Sequence, residues 1–205
     1  TLMRIEEGGD QRYDVGIHPD VTEIDFSRRI VGDFFKEHRF PNLIKLTCRS
    51  MRRTTELELN CPSLQYLRCH FNGLSELKLN CPSLLELWCN NNRLTKLGLN
   101  CPSLQKLLCD YNQLTELELN CPSLRVLQCE YNQLTKLELN CPSLQDLWCS
   151  NNQLTKLELN CPALQMLDCA GNQLTILELN CPSLQILLCH RNQLTDLNGL
   201  EFCTE

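Results

Sequence analysis

The stretch that decides the fold is CPSLQKLLCDYNQLTELELN, residues 101–120, because the same twenty residues recur along the chain with few changes. The copy before it is CPSLLELWCNNNRLTKLGLN, and the copy after it is CPSLRVLQCEYNQLTKLELN. The copies begin at Cys61, Cys81, Cys101, Cys121, Cys141, Cys161 and Cys181. A segment of this length is too short to bury an apolar face alone. The fixed period therefore predicts a solenoid in which stacked copies share one core.

Each copy contains the pattern Leu-x-x-Leu-x-Cys-x-x-Asn-x-Leu, which in the second copy is formed by Leu84, Leu87, Cys89, Asn92 and Leu94. This pattern resembles the leucine-rich repeat, with cysteine in place of the middle leucine, over about residues 21–200. The repeat length is similar to that of the short bacterial and effector-type repeats. The Cys-Pro-x-Leu phrase resembles the cysteine-containing repeats of ubiquitin-ligase adaptors. The resemblance implies that the ligand is most often a protein.

The spacing predicts a mostly β, α/β-type repeat solenoid. Leu67 and Cys69 are two residues apart, so they point to one side of a short strand while Arg68 points to the other. Residues 77–79 and their equivalents also alternate, and we expect an extended convex side because the following Asn-Cys-Pro-Ser leaves no room for a helix. About nine coils at a spacing of about 4.8 Å give a parallel concave sheet about 40 Å long.

The regularity of the repeats divides the chain into four parts. Residues 1–20 are predicted to form an N-terminal cap segment, with a strand laid over the end of the array. Residues 21–60 form two irregular opening repeats, and residues 61–200 form seven regular repeats. Residues 201–205 begin either a C-terminal cap or a continuation of the natural chain. We expect continuation, because so few residues cannot cover the cross-section of a core.

A helix is expected only in the first opening repeat. Val31, Phe34, Phe35 and His38 have the spacing of one face of a short helix, and Pro41 then ends it.

Composition excludes several classes of function. The chain has 19 Lys and Arg against 25 Asp and Glu, a net charge of -6, whereas a nucleic-acid-binding surface needs a basic stripe. No run of about 18 apolar residues is present to span a membrane. No phosphate loop, dinucleotide fingerprint or Gly-x-Ser-x-Gly motif occurs, and none of the four histidines can be paired with a nucleophile. We therefore expect no enzyme activity and no cofactor.

Sixteen cysteines fall mainly into two columns, which start at Cys61 and Cys69 and repeat with the period of the array. A solenoid repeats one interior position in each column, and free cysteine behaves as a small apolar residue, so both columns are predicted to be reduced and buried. Disulfides are the alternative. A zinc site is not expected, because no Cys-x-x-Cys occurs and no column of histidine accompanies the cysteines.

One asparagine per coil is predicted to form a structural ladder, because a buried amide must be satisfied by hydrogen bonds to the turn and to the next coil. The ladder residues are Asn72, Asn92, Asn112, Asn132, Asn152, Asn172 and Asn192.

The copies differ most between the framework leucine and the asparagine, on the outward face of the concave strand. Both tryptophans of the chain lie in this strip, and exposed aromatic and apolar side chains in one strip are typical of a binding surface. Arg, Trp and Tyr are also the usual energetic anchors. The predicted partner-binding residues are Tyr66, Arg68, Trp88, Leu108, Tyr111, Gln128, Tyr131, Trp148, Asp168 and Leu188.

These observations favour a non-enzymatic protein interaction module that binds a protein partner through its concave face. One alternative is the substrate-recognition or regulatory part of a larger enzyme, such as a ubiquitin ligase, kinase or GTPase, whose catalytic part lies outside this chain. A second alternative is a structural array without a specific ligand, and a metal-binding array is a more distant one. Reduced cysteines and the absence of an Asn-x-Ser/Thr acceptor indicate the cytoplasm, with a delivered effector or a secreted protein as alternatives.

Overall fold

A computed structural model of the chain describes residues 2–5, 16–27, 34–49 and 54–195. Residues 6–15 of the predicted cap segment, Val31 of the predicted helix and residues 196–205 lie outside these ranges.

The concave side of the solenoid is one ten-stranded parallel sheet, to which each coil contributes one strand. Across the regular coils the register is constant, so that Leu107 pairs with Leu87 on one side and with Leu127 on the other. The strands, in spatial order, are β1 (Leu2–Ile5), β3 (Glu23–Ser27), β5 (Lys45–Arg49), β7 (Tyr66–Arg68), β9 (Glu86–Trp88), β11 (Lys106–Leu108), β13 (Val126–Gln128), β14 (Asp146–Trp148), β16 (Met166–Asp168) and β18 (Ile186–Leu188).

The convex side is extended, as the alternation of its side chains predicts. Its strands are β6 (Glu56–Asn60), β8 (Glu76–Asn80), β10 (Lys96–Leu99), β12 (Glu116–Leu119), β15 (Lys156–Leu159) and β17 (Ile176–Leu179). They form three separate parallel pairs, β6 with β8, β10 with β12 and β15 with β17. Residues 136–140 occupy the same place in their coil but are not in a strand.

The N-terminal region has two features that the repeat pattern does not specify. Strand β1 joins the edge of the large sheet by pairing with β3, so residues before the predicted opening repeat add a strand to the concave side. In the described residues helix α1 comprises Phe34–Glu37, and its predicted residue His38 lies instead in strand β4 (His38–Arg39). The physical reason is that the backbone of β4 pairs with strand β2 (Gly16–Ile17), which requires an extended conformation.

The core is one continuous cluster of leucine and cysteine side chains along the solenoid. In the central coil Leu124, Leu127, Cys129 and Leu134 are completely buried, and the same positions are buried in neighbouring coils. The fifteen described cysteines carry free thiols, buried in most coils and partly buried at Cys181 and Cys189. The leucine and cysteine columns thus fill the interior positions that the repeat assigns to them.

An asparagine side chain closes the turn after each regular concave strand. The amide nitrogen of Asn112 donates to the carbonyl oxygen of Cys109 in its own coil and to that of Cys89 in the preceding coil, both at 3.1 Å. Its carbonyl oxygen accepts from the backbone N–H of Leu94 at 3.0 Å. Equivalent donated hydrogen bonds are made by Asn72, Asn92, Asn132, Asn152, Asn172 and Asn192.

A second asparagine column, which the sequence analysis did not predict, lies at the opposite corner of the coil. Its amides bond directly to one another: Asn80 donates to Asn60 at 2.9 Å and Asn120 donates to Asn100 at 2.8 Å. These side chains are exposed to water. Their hydrogen bonds replace hydrogen bonds to water and therefore add little to the stability of the fold.

Candidate binding surface on the concave sheet

The concave strip is the outward face of the large sheet, formed by the side chains between the buried leucine and the asparagine of each coil. In every regular strand the central leucine is inward, and the residues on either side of it are outward. Because the strands pair in register, the outward side chains form columns, in which Trp88 has Arg68 and Leu108 as its neighbours.

Trp88 lies under a cationic side chain at the N-terminal half of the strip. The guanidinium carbon of Arg68 is 4.4 Å from the centre of the Trp88 ring, and Lys106 Nζ is 5.6 Å from it. The ring of His70 lies at 5.7 Å, centre to centre. A cation over an indole face is attracted by the negative face of the ring, so Arg68 holds this tryptophan in one orientation.

Trp148 lies in the same column, three strands further along, about 14 Å away at the usual strand spacing. Its neighbours in the column are Gln128 and Asp168, and its indole N–H points at the sulfur of Met166. Both tryptophans are half-buried, so each leaves part of an aromatic face on the surface.

The residue before each ladder asparagine has a left-handed backbone, which projects its side chain at the rim of the strip. The values of φ lie between 51° and 55° at the non-glycine positions. In two successive coils this position holds tyrosine, and the rings of Tyr111 and Tyr131 stack at 4.4 Å with an angle of 10°. Both rings are about half exposed, at 49% and 47%. Such an aromatic pair beside a polar strip is a suitable platform for a flat or apolar group.

Phe71, at the same rim position, is more exposed still, at 66%, and was not among the predicted binding residues. The signal that could have found it is its place in the same column as the two tyrosines.

Glycine takes the left-handed position in one coil, at Gly171, where φ is 65°. A Cβ added there would lie 2.8 Å from Oδ1 of Asn151, so a side chain at this position would require the Asn151 side chain to move.

A second column of outward side chains lies two residues after the tryptophan column and includes Asp110 and Ser150. It is more buried than the alternation of the strand alone predicts. Backbone pairing continues past the strands, since Cys109 N–H donates to the carbonyl of Gln128 at 2.8 Å and Tyr111 N–H donates to that of Glu130 at 3.0 Å. Neighbouring coils therefore stay close, and Asp110 and Ser150 are covered, at 8% and 6% exposure.

This column carries acidic residues that were not predicted as site residues. Asp110 and Glu130 lie in successive coils, preceded by Asn90. Burial raises the pKa of both carboxyls. For Glu130, burial together with the nearby charges of Asp110 and Asp168 raises the pKa to about 7. The signal for this group was one polar column that holds an amide and two acids in three successive coils.

The predicted binding residues therefore fall into two groups. Tyr66, Arg68, Trp88, Leu108, Gln128, Trp148, Asp168 and Leu188 lie along the outward face of the strands, and Tyr111 and Tyr131 lie at its rim. Leu188, in the last described strand, is 38% exposed, and Ile186 beside it is 51% exposed.

The convex side carries glutamates whose charges are offset by neighbouring lysines. Lys96 pairs with Glu116 and Lys136 pairs with Glu138, each at 2.7 Å, and all four side chains are exposed. Such exposed pairs contribute little to stability.

Two histidines meet outside the concave strip. His18 Nε2 lies 3.0 Å from His38 Nδ1, and the ring of Phe40 stacks on His18 at 5.0 Å. Within the ranges that the structure describes, no group of three or more His, Cys, Asp or Glu side chains has an arrangement that could hold a metal ion. Nor does any helix in those ranges have the length and apolarity to cross a membrane.

The thiols of the second cysteine column have no features of a nucleophile. Complete burial raises the pKa of Cys69 to about 12, and burial raises the pKa of Cys89, Cys109 and Cys149 well above the usual value. A reactive cysteine needs a lowered pKa and access to solvent, and these thiols have neither.

Comparison with known proteins identifies related repeats. The profile of the family Leucine Rich repeats (2 copies) matches residues 122–161. YopM from Yersinia enterocolitica superposes with a TM-score of 0.71 at 26% identity, over 93% of this chain and 46% of that chain. YopM from Yersinia pestis, a leucine-rich effector protein, superposes with a TM-score of 0.74 at 31% identity, over 87% and 51%.

The functional domain of InlJ from Listeria monocytogenes, which includes a cysteine ladder, superposes with a TM-score of 0.70 at 30% identity, over 87% of this chain and 41% of that chain. The chain thus spans about half the length of these three solved chains. A comparison with curated proteins finds no match.

Proposed function

Because the chain is a leucine-rich repeat protein, we propose that it is a non-catalytic module that binds a protein partner through the concave strip. The observation that carries the proposal is the pair of half-buried tryptophans, Trp88 and Trp148, in one outward column of a rigid parallel sheet. Large aromatic side chains held in place by neighbours are the usual anchors of protein interfaces.

Rigidity supports this proposal further. Arg68 fixes Trp88 from above, and the tyrosine pair at the rim is already stacked. Side chains that are ordered before binding lose less conformational entropy when a partner docks. The binding surface we propose is therefore preorganised over about five coils.

Two other functions stay as alternatives. The chain spans about half of the related solved chains, so it can equally serve as the recognition part of a larger protein with an enzymatic domain elsewhere. A structural array without a specific ligand is the other alternative, and it predicts that substitutions in the concave strip have no effect on any interaction. The residues assigned to the strip are the same under both binding proposals.

For the cellular location, we propose the cytoplasm, either of the cell that makes the protein or of a cell into which it is delivered. Free thiols are stable in that compartment. The related YopM of Yersinia pestis is an effector protein, which motivates the second possibility.

The test is affinity capture from an extract of the source cell with three baits. These are the native chain, the concave double variant Trp88→Ala/Trp148→Ala and the convex double variant Glu118→Ala/Glu138→Ala, each checked for cooperative unfolding. We expect one protein to be captured by the native chain and the convex variant and lost from the concave variant. Equal capture by all three baits would contradict a concave binding site.

A further inference from the structure

In the concave strip, each of three successive coils has a buried side-chain oxygen that accepts no hydrogen bond. The atoms are Oδ1 of Asn90, Oδ1 of Asp110 and Oε2 of Glu130, each shielded from water and lacking a partner. Asp110 is more than nine-tenths buried, with an exposure of 8%. A buried acceptor without a donor destabilises the fold, and more so when it is charged. The side-chain amide of Asn90 donates to the carboxylate of Asp110, but these three oxygen atoms receive no donor.

The column is also short of positive charge. Within the described ranges, the ion pairs involve Lys45, Lys78, Lys96, Lys136 and Lys156, and none of them reaches Asp110 or Glu130. Lys106 is directed to the ring of Trp88. The pKa of Glu130, raised to about 7, expresses the same deficit, because burial and the charge of Asp110 disfavour its ionised form. A cation supplied from outside would offset the charge of Asp110 and favour the ionised form of Glu130.

We propose that this acidic column, Asn90, Asp110 and Glu130, receives the guanidinium group of an arginine side chain of the protein partner. This inference rests on the proposed function and names the chemistry that the concave strip recognises. Rotamer changes at an interface are common, and a rotamer change at Asp110 or Glu130 would turn its unpaired oxygen toward an approaching donor.

Arginine fits the column better than lysine does. The guanidinium presents five N–H donors in a planar fork and no acceptor, which matches acceptors repeated at about 4.8 Å along the sheet. It is more weakly hydrated than an ammonium group, so it enters a half-buried site at lower cost. It also stacks on aromatic faces, and the Tyr111–Tyr131 pair lies one residue beyond Asp110 and Glu130.

The probe is the peptide acetyl-Gly-Arg-Gly-amide, compared with its citrulline and lysine counterparts. Citrulline has the shape of arginine without its charge. Binding is followed in the ¹⁵N–¹H spectrum of the folded chain, using the indole N–H signals of Trp88 and Trp148 and the backbone signals of residues 110 and 130. We expect saturable shifts with the arginine peptide, and at least tenfold weaker binding of the other two peptides.

The matched variants place the site. Asp110→Asn/Glu130→Gln removes two negative charges from the concave column, and Glu118→Gln/Glu138→Gln removes two from the convex face of the same two coils. We expect at least a tenfold loss of affinity in the first variant and an unchanged affinity in the second. The single variants Asp110→Asn and Glu130→Gln give the same comparison should the double variant not fold.

Three results would overturn the inference: no saturable binding of the arginine peptide, equal binding of the lysine peptide, or equal loss in the concave and convex variants. None of these touches the proposed function, which is decided separately by the Trp88→Ala/Trp148→Ala capture. A partner lost with the tryptophan variant and retained by Asp110→Asn/Glu130→Gln would leave concave binding in place and reject arginine as its determinant.

Discussion

At the scale of single residues, each asparagine amide in the ladder joins two coils with both ends of its side chain. Asn132 donates to the carbonyls of Cys109 at 3.0 Å and Cys129 at 3.1 Å, and it accepts from the backbone N–H of Leu114 at 2.9 Å. These backbone groups lie at a turn, where the strands of the large sheet have ended. A side chain that can both donate and accept is therefore required at this position.

We predict that Asn132→Leu lowers the free energy of unfolding by about 2–4 kcal/mol, because buried carbonyl and N–H groups lose their partner. The control is Asn120→Leu in the second asparagine column, where the side chain is exposed and the change should stay within about 0.5 kcal/mol. Urea unfolding of both variants measures the difference. Equal stability of the two would show that the buried amide is not required.

Glu130 gives a prediction with a defined dependence on pH. Its pKa is raised from 4.5 to about 7, so the folded chain holds the proton more tightly than the unfolded chain does. The stability that protonation contributes is complete below about pH 4.5 and is lost as the pH rises through 7.

Glu130→Gln removes this titration. We expect the variant to match the native chain near pH 4 and to exceed it by about 1 kcal/mol at pH 8, a value reduced for the partial exposure of the side chain. Melting temperatures measured across this range test the sign. A stability gain of the variant that is largest at acidic pH would contradict the predicted sign. A native carboxylate that destabilises the free chain at neutral pH is consistent with a residue retained for binding.

At the scale of elements, the repeated unit is a three-residue strand followed by a turn that contains one cysteine and one asparagine. The cysteine after the strand is completely buried in the central coils, and Cys181 and Cys189 in the last described coil are only partly buried. Burial raises the pKa of these thiols, so little of the reactive thiolate is present at neutral pH.

We predict that thiols of the central coils resist alkylation in the native chain and react fully after denaturation. The order of labelling should follow burial, with Cys189 and Cys181 modified before Cys129 and Cys149. Pulsed alkylation with iodoacetamide at pH 8, followed by peptide mass spectrometry, gives the order. Simultaneous labelling of every site, or thiols missing after denaturation without reductant, would be incompatible with buried, reduced columns.

The elements also show what the sequence can and cannot predict. The fixed period is sufficient for the parallel sheet, the buried leucines and the extended convex side, because each follows from alternation and stacking. It is not sufficient for the edge strand Leu2–Ile5, which lacks the repeat pattern, nor for the end of the helix before His38, which depends on pairing with Gly16–Ile17. Both depend on tertiary contacts that local spacing does not contain.

The candidate site was predictable to a similar extent. Alternation is sufficient to place Trp88 and Trp148 on the outward face. It does not predict the covering of Asp110, because that covering comes from backbone pairing beyond the strand. It also does not predict the stacking of Tyr111 on Tyr131, which depends on two left-handed turns at the same height in neighbouring coils.

At the scale of the whole molecule, the solenoid is close to one-dimensional. Strands of the large sheet pair only with those of the adjacent coils, in an unchanging register of twenty residues across the regular array. Stability in such an array is the sum of contributions from single coils and from contacts between neighbours. The interior residues are nearly the same in every copy, whereas the outward residues differ. Replacing one coil by another should therefore affect binding more than folding.

This leads to a prediction for deletion of a complete coil. Removal of residues 121–140 joins Asn120 to Cys141 and brings Leu147 beside Leu107 in the normal register, so the shortened chain should fold cooperatively with a lower urea midpoint. Removal of residues 121–129 alone moves Leu137 to the outward place of Gln128 and Leu147 to the exposed place of Glu138. This deletion therefore breaks the register and should prevent cooperative folding. Circular dichroism and urea unfolding compare the two deletions, and a folded product from both would contradict the register argument.

The complete-coil deletion also removes Glu130 and Tyr131 and places Ser150 after Asp110 in the acidic column. The shortened chain should therefore keep its fold and lose its affinity for the arginine peptide. Such a result would separate folding, which all coils support, from binding, which depends on the coil that carries Glu130.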